Sequence, residues 1–150
     1  MKRDNIKLPF KRIEGTEDLP QPSYMTGGSA GMDIYAAVED DIILQPGNRV
    51  LVPTGLMIAV PSGYELQIRP RSGLAVRQGI GIVNSPGTID SDYRGEIKVI
   101  LINLGQDNVT ISRGDRVAQM VLCPVPRAVL EEVFELPPTE RNDGGFGHTG

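Results

Sequence analysis

The sequence is poor in the residues that most often carry metal, redox and covalent chemistry. Cys123 is the only cysteine, so no intrachain disulfide can form and no thiolate zinc site is available. His148 is the only histidine, so we expect neither a histidine-based triad nor a histidine cluster for a metal. A single cysteine fits a reducing cytosol, and we therefore expect a cytoplasmic protein.

Aromatic residues and long apolar runs are scarce as well. Tryptophan is absent and aromatics make up 5% of the chain, so Ile, Val and Leu must fill the core. Residues 1–7 lack the apolar segment of a signal peptide, and the run 99–104 is interrupted by Asn103, so we expect no membrane span. The net charge of -4 and the pI near 5.0 argue against a nucleic-acid partner, although a local arginine cluster can still bind a small polyanion.

The chain is rich in residues that form turns. Its 150 residues suffice for one domain with a real core. The 18 glycines and 12 prolines make up a fifth of the chain, against roughly an eighth in average proteins. So many turns imply many short strands.

Residues 84–97 form the stretch around which the rest of the chain is organised. They are rich in Gly, Asp and Ser and lie between two β-branched runs, a pattern that predicts a long β-hairpin. With the tip near Ser91, simple opposition places Asn84 across from Lys98. Backbone groups, an amide, two carboxylates and an aromatic ring then surround a pocket that suits a planar, hydrogen-bonding ligand. The alternative is a surface hairpin whose Asp and Ser merely suit the turn.

A second candidate site follows the strand Tyr64–Arg69, whose clean alternation predicts a half-buried strand. Ser72 is placed to cap a helix of one or two turns that Gly79 ends. Free N–H groups and the guanidinium of Arg71 would face the same way there, as in an anion site. A simple cap beside a solvated arginine explains the same residues nearly as well.

Two polar residues stand out within apolar strands. Asp33 alternates with Met32 and Ile34 and so lies on the opposite face, where a solvated carboxylate and a functional one are equally good interpretations. Alternation groups Gln119 with Val117 and Val121 on an apolar side, where its amide needs a partner.

The carboxyl-terminal region is harder to interpret. Residues 128–136 match helical spacing, but the segment is short and precedes two prolines, so the pattern does not decide between strand and helix. We expect a domain over residues 1–136 and a flexible arm over 137–150. Such glycine-rich tails are usually disordered, yet one Phe and one Arg on a tether can also close over a ligand.

Five segments, taken in order, resemble the motifs of one family, the trimeric dUTPases (deoxyuridine triphosphate nucleotidohydrolases). Any one of them alone would be a weak match, but five at sensible spacing span nearly the whole chain. The segments are residues 30–33, 70–74, 87–95, 113–119 and 141–150.

This resemblance implies an all-β fold, a distorted jelly-roll β-barrel with one short helix and a carboxyl-terminal arm. It also implies a homotrimer whose active sites are shared between subunits. The implied reaction is Mg²⁺-dependent hydrolysis of dUTP to dUMP and diphosphate, which supplies dUMP for thymidylate synthesis and keeps uracil out of DNA.

The resemblance also assigns roles to residues of the central stretch. Asp90 would orient and deprotonate the water that attacks the α-phosphorus. Tyr93 would pack against the deoxyribose and leave no space for a 2′-hydroxyl. The uracil would be bound by backbone groups near Thr88, Ile89 and Lys98 and by the side chain of Asn84.

The phosphates, the metal and the arm follow from the other motifs. Asp33 would act near Mg²⁺ through water, since this ion keeps much of its hydration. The phosphates would be held by Arg71, Ser72, Gly73 and Gln119. The arm would bring Phe146 over the base, and Arg141 and Thr149 to the γ-phosphate.

One residue departs from the family pattern, and two rival functions stay open. A glycine usually follows the arginine of the tail motif, where this chain has Asn142, a residue that tolerates left-handed backbone. The nearer rival is a dCTP deaminase, but Asp90 belongs to the dUTPase-like motif. The other is a catalytically silent trimer that binds nucleotide and signals through partners, against which Asp90, Arg71 and the tail argue.

Overall fold

The computed structural model describes residues 5–147, which form short β-strands and one helix. In chain order the strands are β1 (Phe10–Arg12), β2 (Met32–Tyr35), β3 (Ile42–Leu44), β4 (Arg49–Pro53), β5 (Leu56–Ile58), β6 (Tyr64–Arg69), β7 (Ile80–Ile82), β8 (Gly87–Ile89), β9 (Lys98–Asn103), β10 (Val109–Ile111) and β11 (Arg116–Pro124), and helix α1 (Ser72–Gln78) lies between β6 and β7.

The strands pair antiparallel in four sheets, mostly with partners distant in sequence. The largest sheet has the order β2-β11-β6-β8, and a second has the order β4-β9-β7. Two further pairs, β1-β5 and β3-β10, complete the domain. The expectation of an all-β, jelly-roll-like barrel with one short helix is confirmed.

Aliphatic side chains form the core, as the scarcity of aromatics predicts. Ile34, Leu66, Ile97 and Leu101 are essentially inaccessible to solvent, and burying each such side chain stabilises the fold by about 1.5–3 kcal/mol. On β6 the buried and half-buried residues alternate as predicted. This alternation leaves a polar row along the outer face of the largest sheet.

The central stretch is not the simple hairpin that its pattern suggests. β7 and β9 pair with each other, Ile82 opposite Leu101, but β8 leaves them and pairs with β6. Extending the β7–β9 register places Asn84 opposite Val99, so the predicted opposition of Asn84 and Lys98 is wrong by one residue. Pro86 lies where the chain turns away, and a proline cannot donate a ladder hydrogen bond.

Helix α1 ends as predicted but begins differently. Gly79 has a left-handed backbone (φ 68°), and its N–H is directed to the carbonyls of Ala75 and Leu74. The cap residue is Arg71, and Ser72 is already the first helical residue, without a side-chain cap bond. The prediction that Ser72 caps the helix is therefore wrong, and its exposed side chain lies beside the start of the helix.

Beyond β11 the described chain has neither helix nor strand. Residues 128–136, for which the sequence left strand and helix open, therefore form neither. Val129, Leu130 and Phe134 are almost completely exposed to solvent, and Val133 is half exposed. The division into a domain over 1–136 and an arm over 137–150 stays a prediction. None of the helices in the described part of the chain is long and apolar enough to cross a membrane.

Candidate active site

A cluster that we call the arginine corner lies where β2, β11 and the start of α1 meet. It consists of Asp33, Arg71, Ser72, Arg116 and Gln119. Arg71 Nε donates to Asp33 Oδ1 at 3.0 Å, and Arg116 Nη1 lies 3.4 Å from Asp33 Oδ2. Two guanidinium groups share one carboxylate, so the corner keeps a net positive charge that suits an anion.

Gln119 connects the corner to the loop before α1. Its amide donates to the carbonyl of Pro70 at 3.0 Å, which is the partner that its position required. Gly31, directly before β2, makes room for this side chain, since a Cβ at Gly31 would lie 2.5 Å from Gln119 Oε1. The glycine of the first motif is thus explained by close packing.

Arg116 is a residue of this corner that sequence reasoning missed. Strict alternation would group it with Ala118 and Met120, which are buried, whereas Arg116 is exposed. The β2–β11 register shifts between Arg116 and Ala118, and this β-bulge turns the arginine outward. One signal in the sequence could have found it. Arg116 directly follows a turn and begins a strand whose next residues are apolar, and a charged arginine does not fit on the buried face of such a strand.

The second site is a cavity of about 340 Å³ between β8 and β9, which we call the base pocket. Ile68, Ile82 and Val99 form its apolar wall, and a flat ring can pack on such a surface. The predicted residues gathered there are Asn84, Thr88, Ile89, Asp90, Tyr93 and Lys98.

Asp90 and Tyr93 lie on one tight turn at the rim of the base pocket. The N–H of Tyr93 donates to the carbonyl of Asp90 at 3.2 Å, and the Tyr93 hydroxyl donates to the carbonyl of Glu96 at 2.9 Å. The ring lies against Gly95, where any Cβ would overlap the Tyr93 hydroxyl. The Asp90 carboxylate is exposed, so it can reach a water outside the pocket.

The arginine corner and Asp90 lie toward opposite ends of β6. Leu66 pairs with Ile89, so Asp90 follows toward the start of that strand. The corner lies at the other end, where Gln119 pairs with Arg69. The strand between Leu66 and Arg69 alone spans roughly 10 Å. One chain therefore places its corner on the far side of its base pocket from Asp90.

The described part of the arm forms its own turn. Arg141 Nε donates to the carbonyl of Gly144 at 2.6 Å, and Asn142 has a left-handed backbone (φ 44°) that an asparagine tolerates. Phe146 is fully exposed. Among the described residues, the recorded hydrogen bonds of 139–147 stay within that segment. Thr149 lies outside the described residues.

Comparison with known proteins decides the family. The family model described as dUTPase matches residues 17–150. This chain belongs to the dUTPase family. It is 58% identical to the deoxyuridine 5'-triphosphate nucleotidohydrolase of Caldanaerobacter subterraneus subsp. tengcongensis over 97% of this chain and 99% of that protein. It is 53% identical to the protein of the same name from Wolbachia pipientis subsp. Culex pipiens, over 100% and 99% of the two chains.

The fold is that of solved dUTPases. The dUTPase of Staphylococcus bacteriophage 80alpha with dUPNHPP superposes with a TM-score of 0.87, covering 97% of this chain and 99% of the phage chain. The two sequences are 23% identical, so this likeness concerns the fold.

The described residues of this dUTPase family member contain no cluster of three or more acidic, cysteine or histidine side chains for a metal. Asp33, the predicted metal contact, has both oxygens directed at arginines. That arrangement disfavours direct ligation but leaves room for a contact through water. Such a donor set fits an Mg²⁺ ion that arrives with phosphate ligands rather than one held in a protein cage.

Gly73, the remaining predicted phosphate contact, lies in the first turn of α1. A Cβ there would lie 3.2 Å from the guanidinium nitrogens of Arg77, so the glycine leaves the backbone of this turn uncovered by a side chain. An uncovered turn beside Arg71 and Ser72 allows a phosphate to approach the backbone closely.

Proposed function

We propose that this protein hydrolyses dUTP to dUMP and diphosphate, and so supplies dUMP for thymidylate synthesis and keeps uracil out of DNA. The observation that carries the proposal is the base pocket, which combines an apolar slot, an amide and an exposed carboxylate on one turn. Membership of the dUTPase family and the names of its relatives support the same substrate.

Uracil fits the slot between the aliphatic wall and the β8 backbone. The Asn84 side chain and backbone groups near Thr88, Ile89 and Lys98 supply donors and acceptors for the base edge. A site built to hydrogen-bond a base rejects analogues that leave its buried polar groups unpaired. Tyr93 then packs against the deoxyribose and excludes a 2′-hydroxyl by volume.

Asp90 is the general base in this proposal. It takes a proton from a water whose oxygen forms a new bond to the α-phosphorus. The bond from that phosphorus to the bridging oxygen breaks, and diphosphate leaves with the bonding electrons. A positioned carboxylate contributes about 10²–10⁴-fold to such a step.

The arginine corner and Mg²⁺ neutralise the triphosphate. Arg71, Ser72, Gly73 and Gln119 hold phosphate oxygens, and the remaining positive charge of the corner faces the diphosphate that leaves. Mg²⁺, when bound to the triphosphate, lowers the cost of concentrating negative charge there. Asp33 orients Arg71 through its Oδ1, and it would contact such an ion only through water.

The order of the two sites along β6 supports active sites shared between subunits. A bound nucleotide must present its base, its sugar, its α-phosphate beside Asp90, and then its outer phosphates. Within one chain the arginine corner lies on the side of the pocket where the base would bind, away from Asp90 and from the outer phosphates. The outer phosphates therefore meet the corner of another copy, and the family resemblance sets the number of copies at three.

Exposed apolar surface gives independent support for assembly. Residues 125–136 expose Val129, Leu130 and Phe134 almost completely, which is costly for an isolated chain. An apolar groove of about 680 Å³ runs beside Phe10 and Met120. Both surfaces are apolar, so the exposed segment of one copy can pack into the groove of another.

The arm closes over the occupied site. Phe146 stacks on the base, and Arg141 and Thr149 bind the γ-phosphate. Closure excludes bulk water from the reaction.

Product analysis tests the proposed function. Purified protein is incubated with dUTP or dCTP in the presence of Mg²⁺, and the products are separated. Formation of dUMP and diphosphate from dUTP supports the proposal. Formation of dUTP from dCTP would instead show a deaminase, and binding without turnover would show a silent nucleotide-binding protein.

A further inference from the structure

Glu96 makes more contacts at the base pocket than any role above requires. Its Oε1 accepts the N–H of Gly55 at 2.9 Å, and its Oε2 lies 3.5 Å from Lys98 Nζ. The backbone carbonyl of Glu96 accepts the Tyr93 hydroxyl at 2.9 Å. Only 17% of the Glu96 side chain is exposed, so its bond with Gly55 is partly shielded from solvent, whereas Lys98 is 45% exposed and its contact with Glu96 is screened.

Gly55 is a fixed anchor for this carboxylate. Its backbone is left-handed (φ 68°), and a Cβ there would lie 2.6 Å from a Thr16 side-chain carbon. Its carbonyl accepts the N–H of Ile13 at 2.8 Å. The neighbouring Thr54 hydroxyl donates to the carbonyl of Ile97 at 2.6 Å. The Ile97 N–H also donates to the carbonyl of Leu56 at 2.8 Å, so residues 54–56 hold the chain at residues 96–97 from the core side, and the Glu96 carboxylate is the part of this attachment that a side-chain substitution at residue 96 removes.

The turn over residues 90–95 has little other support. Asp92, Tyr93 and Arg94 are exposed, and the recorded hydrogen bonds of Arg94 reach only carbonyls of the same turn. The Tyr93 hydroxyl bond to Glu96 therefore ties the outer end of the ring to the rigid part of the domain. Asp90, by contrast, directly follows a strand that is paired with β6.

We propose that Glu96 is a positioning residue for sugar selectivity. Its carboxylate, held by the Gly55 N–H, fixes the backbone to which the Tyr93 hydroxyl is bonded, and so keeps the ring where a 2′-hydroxyl would stand. The inference rests on the proposed function, in which Tyr93 excludes ribose. Because a misplacement of about 1 Å can decide whether a site works, a loosened Glu96 opens the site to ribose.

Three substitutions separate the hydrogen bond from the charge. Glu96→Gln keeps an acceptor for the Gly55 N–H but loses the negative charge beside Lys98. Glu96→Asp keeps the charge but is too short to reach Gly55. Glu96→Ala loses both. Asp40→Ala removes an exposed carboxylate away from Gly55 and serves as the matched control.

The measurement is the ratio of kcat/KM for dUTP to that for UTP, with kcat and KM determined separately. We expect Glu96→Asp and Glu96→Ala to narrow the ratio about tenfold, mainly through a higher KM for dUTP and a faster reaction with UTP. Glu96→Gln and Asp40→Ala should keep the wild-type ratio. If Glu96→Ala does not fold, Glu96→Asp against Glu96→Gln gives the same comparison.

An unchanged ratio in a folded Glu96→Asp variant would overturn the proposal. So would a Glu96→Gln variant as unselective as Glu96→Asp, because the charge and not the Gly55 bond would then matter. Wild-type protein that fails to hydrolyse dUTP would overturn the proposed function itself. If wild-type protein hydrolyses dUTP and prefers it to UTP, and every Glu96 variant shows the same preference, only the role of Glu96 is refuted.

Discussion

At the scale of single residues, the candidate chemistry depends on a few side chains held by close backbone packing. Gly31 and Gly95 are each present because a neighbouring side chain occupies the space that a Cβ would need. Asp90, Tyr93 and Asn84 were predictable from sequence because they lie within one short stretch. Arg116 was not, because its direction depends on a β-bulge that joins two distant strands.

Replacement of Asp90 tests the general base. Asp90→Asn keeps the size of the side chain but removes the proton acceptor, and we expect kcat to fall about 10²–10⁴-fold with little change in KM. Steady-state kinetics give both values, and light scattering checks that assembly is unchanged. A near-normal kcat with a raised KM would assign Asp90 to binding instead.

The Tyr93 ring has its own test. Tyr93→Ala should lower the ratio of kcat/KM for dUTP to kcat/KM for UTP, because the side-chain volume that excludes a 2′-hydroxyl is lost. Tyr93→Phe keeps the ring but loses the hydroxyl bond to Glu96, so it separates the volume of the ring from the bond that holds it, and its kcat/KM ratio should lie between those of Tyr93→Ala and wild-type protein. Equal kcat/KM ratios for Tyr93→Ala and wild-type protein would refute the steric argument.

At the scale of elements, strand existence followed from local pattern and strand pairing did not. The alternation of β6 and the stop of α1 at Gly79 were correct because each depends on nearby residues. β8 pairs with β6 rather than folding back on β9, since pairing is decided by burial against distant strands. The prediction that Ser72 caps α1 was wrong, because Arg71 occupies the cap position.

Asp18 and Arg113 join the loop after β1 to the turn before β11, with Nη2 and Oδ1 2.6 Å apart. The hydrogen bond from Arg113 lowers the pKa of Asp18 below its ordinary 3.8. A lowered folded-state pKa stabilises the fold above the unfolded-state pKa, and this contribution is lost as the pH falls through the folded-state pKa.

Asp18→Asn should therefore lower Tm slightly at pH 7, because the pair is exposed and solvent screens it. The difference from wild-type protein should vanish well below the ordinary pKa of 3.8. Thermal melts across this pH range, with Glu14→Gln as the control, provide the check. A difference that persists at low pH would assign the effect to packing rather than charge.

The described residues of the arm, 139–147, form hydrogen bonds only within their own segment. We expect residues 139–147 to be mobile without ligand and ordered with a non-hydrolysable dUTP analogue, because only stacking by Phe146 and pairing by Arg141 offset the entropy of a glycine-rich segment. Since dUMP lacks the outer phosphates, it should order the arm much less. Backbone NMR order parameters in the three states measure this, and a segment equally rigid in all three would be a structural strap.

Deletion of residues 141–150 gives the matching activity measurement. The last strand ends at Pro124, so folding should be intact while kcat/KM falls severely. Wild-type kcat/KM in the shortened protein would contradict closure by the arm.

At the scale of the whole molecule, the geometry of one chain does not complete the active site that we propose. The base pocket, Asp90 and the arginine corner are each formed locally, yet the corner lies on the wrong side of the pocket for a triphosphate. The number of copies could not be read from composition or periodicity, because an interface leaves no periodic signal. Sequence motifs suggested three copies only through the family resemblance.

Complementation between two inactive variants tests this central claim most directly. Asp90→Asn lacks the base and Arg71→Ala lacks a phosphate ligand, and each alone should be nearly inactive. The two are unfolded together at equal concentration, refolded, and assayed for dUTP hydrolysis beside each variant refolded alone. If each site takes Asp90 and Arg71 from different chains, random trimers should recover about one quarter of wild-type activity. If every chain builds its own site, each chain still carries one lesion, and a mixture no more active than its components would contradict the account.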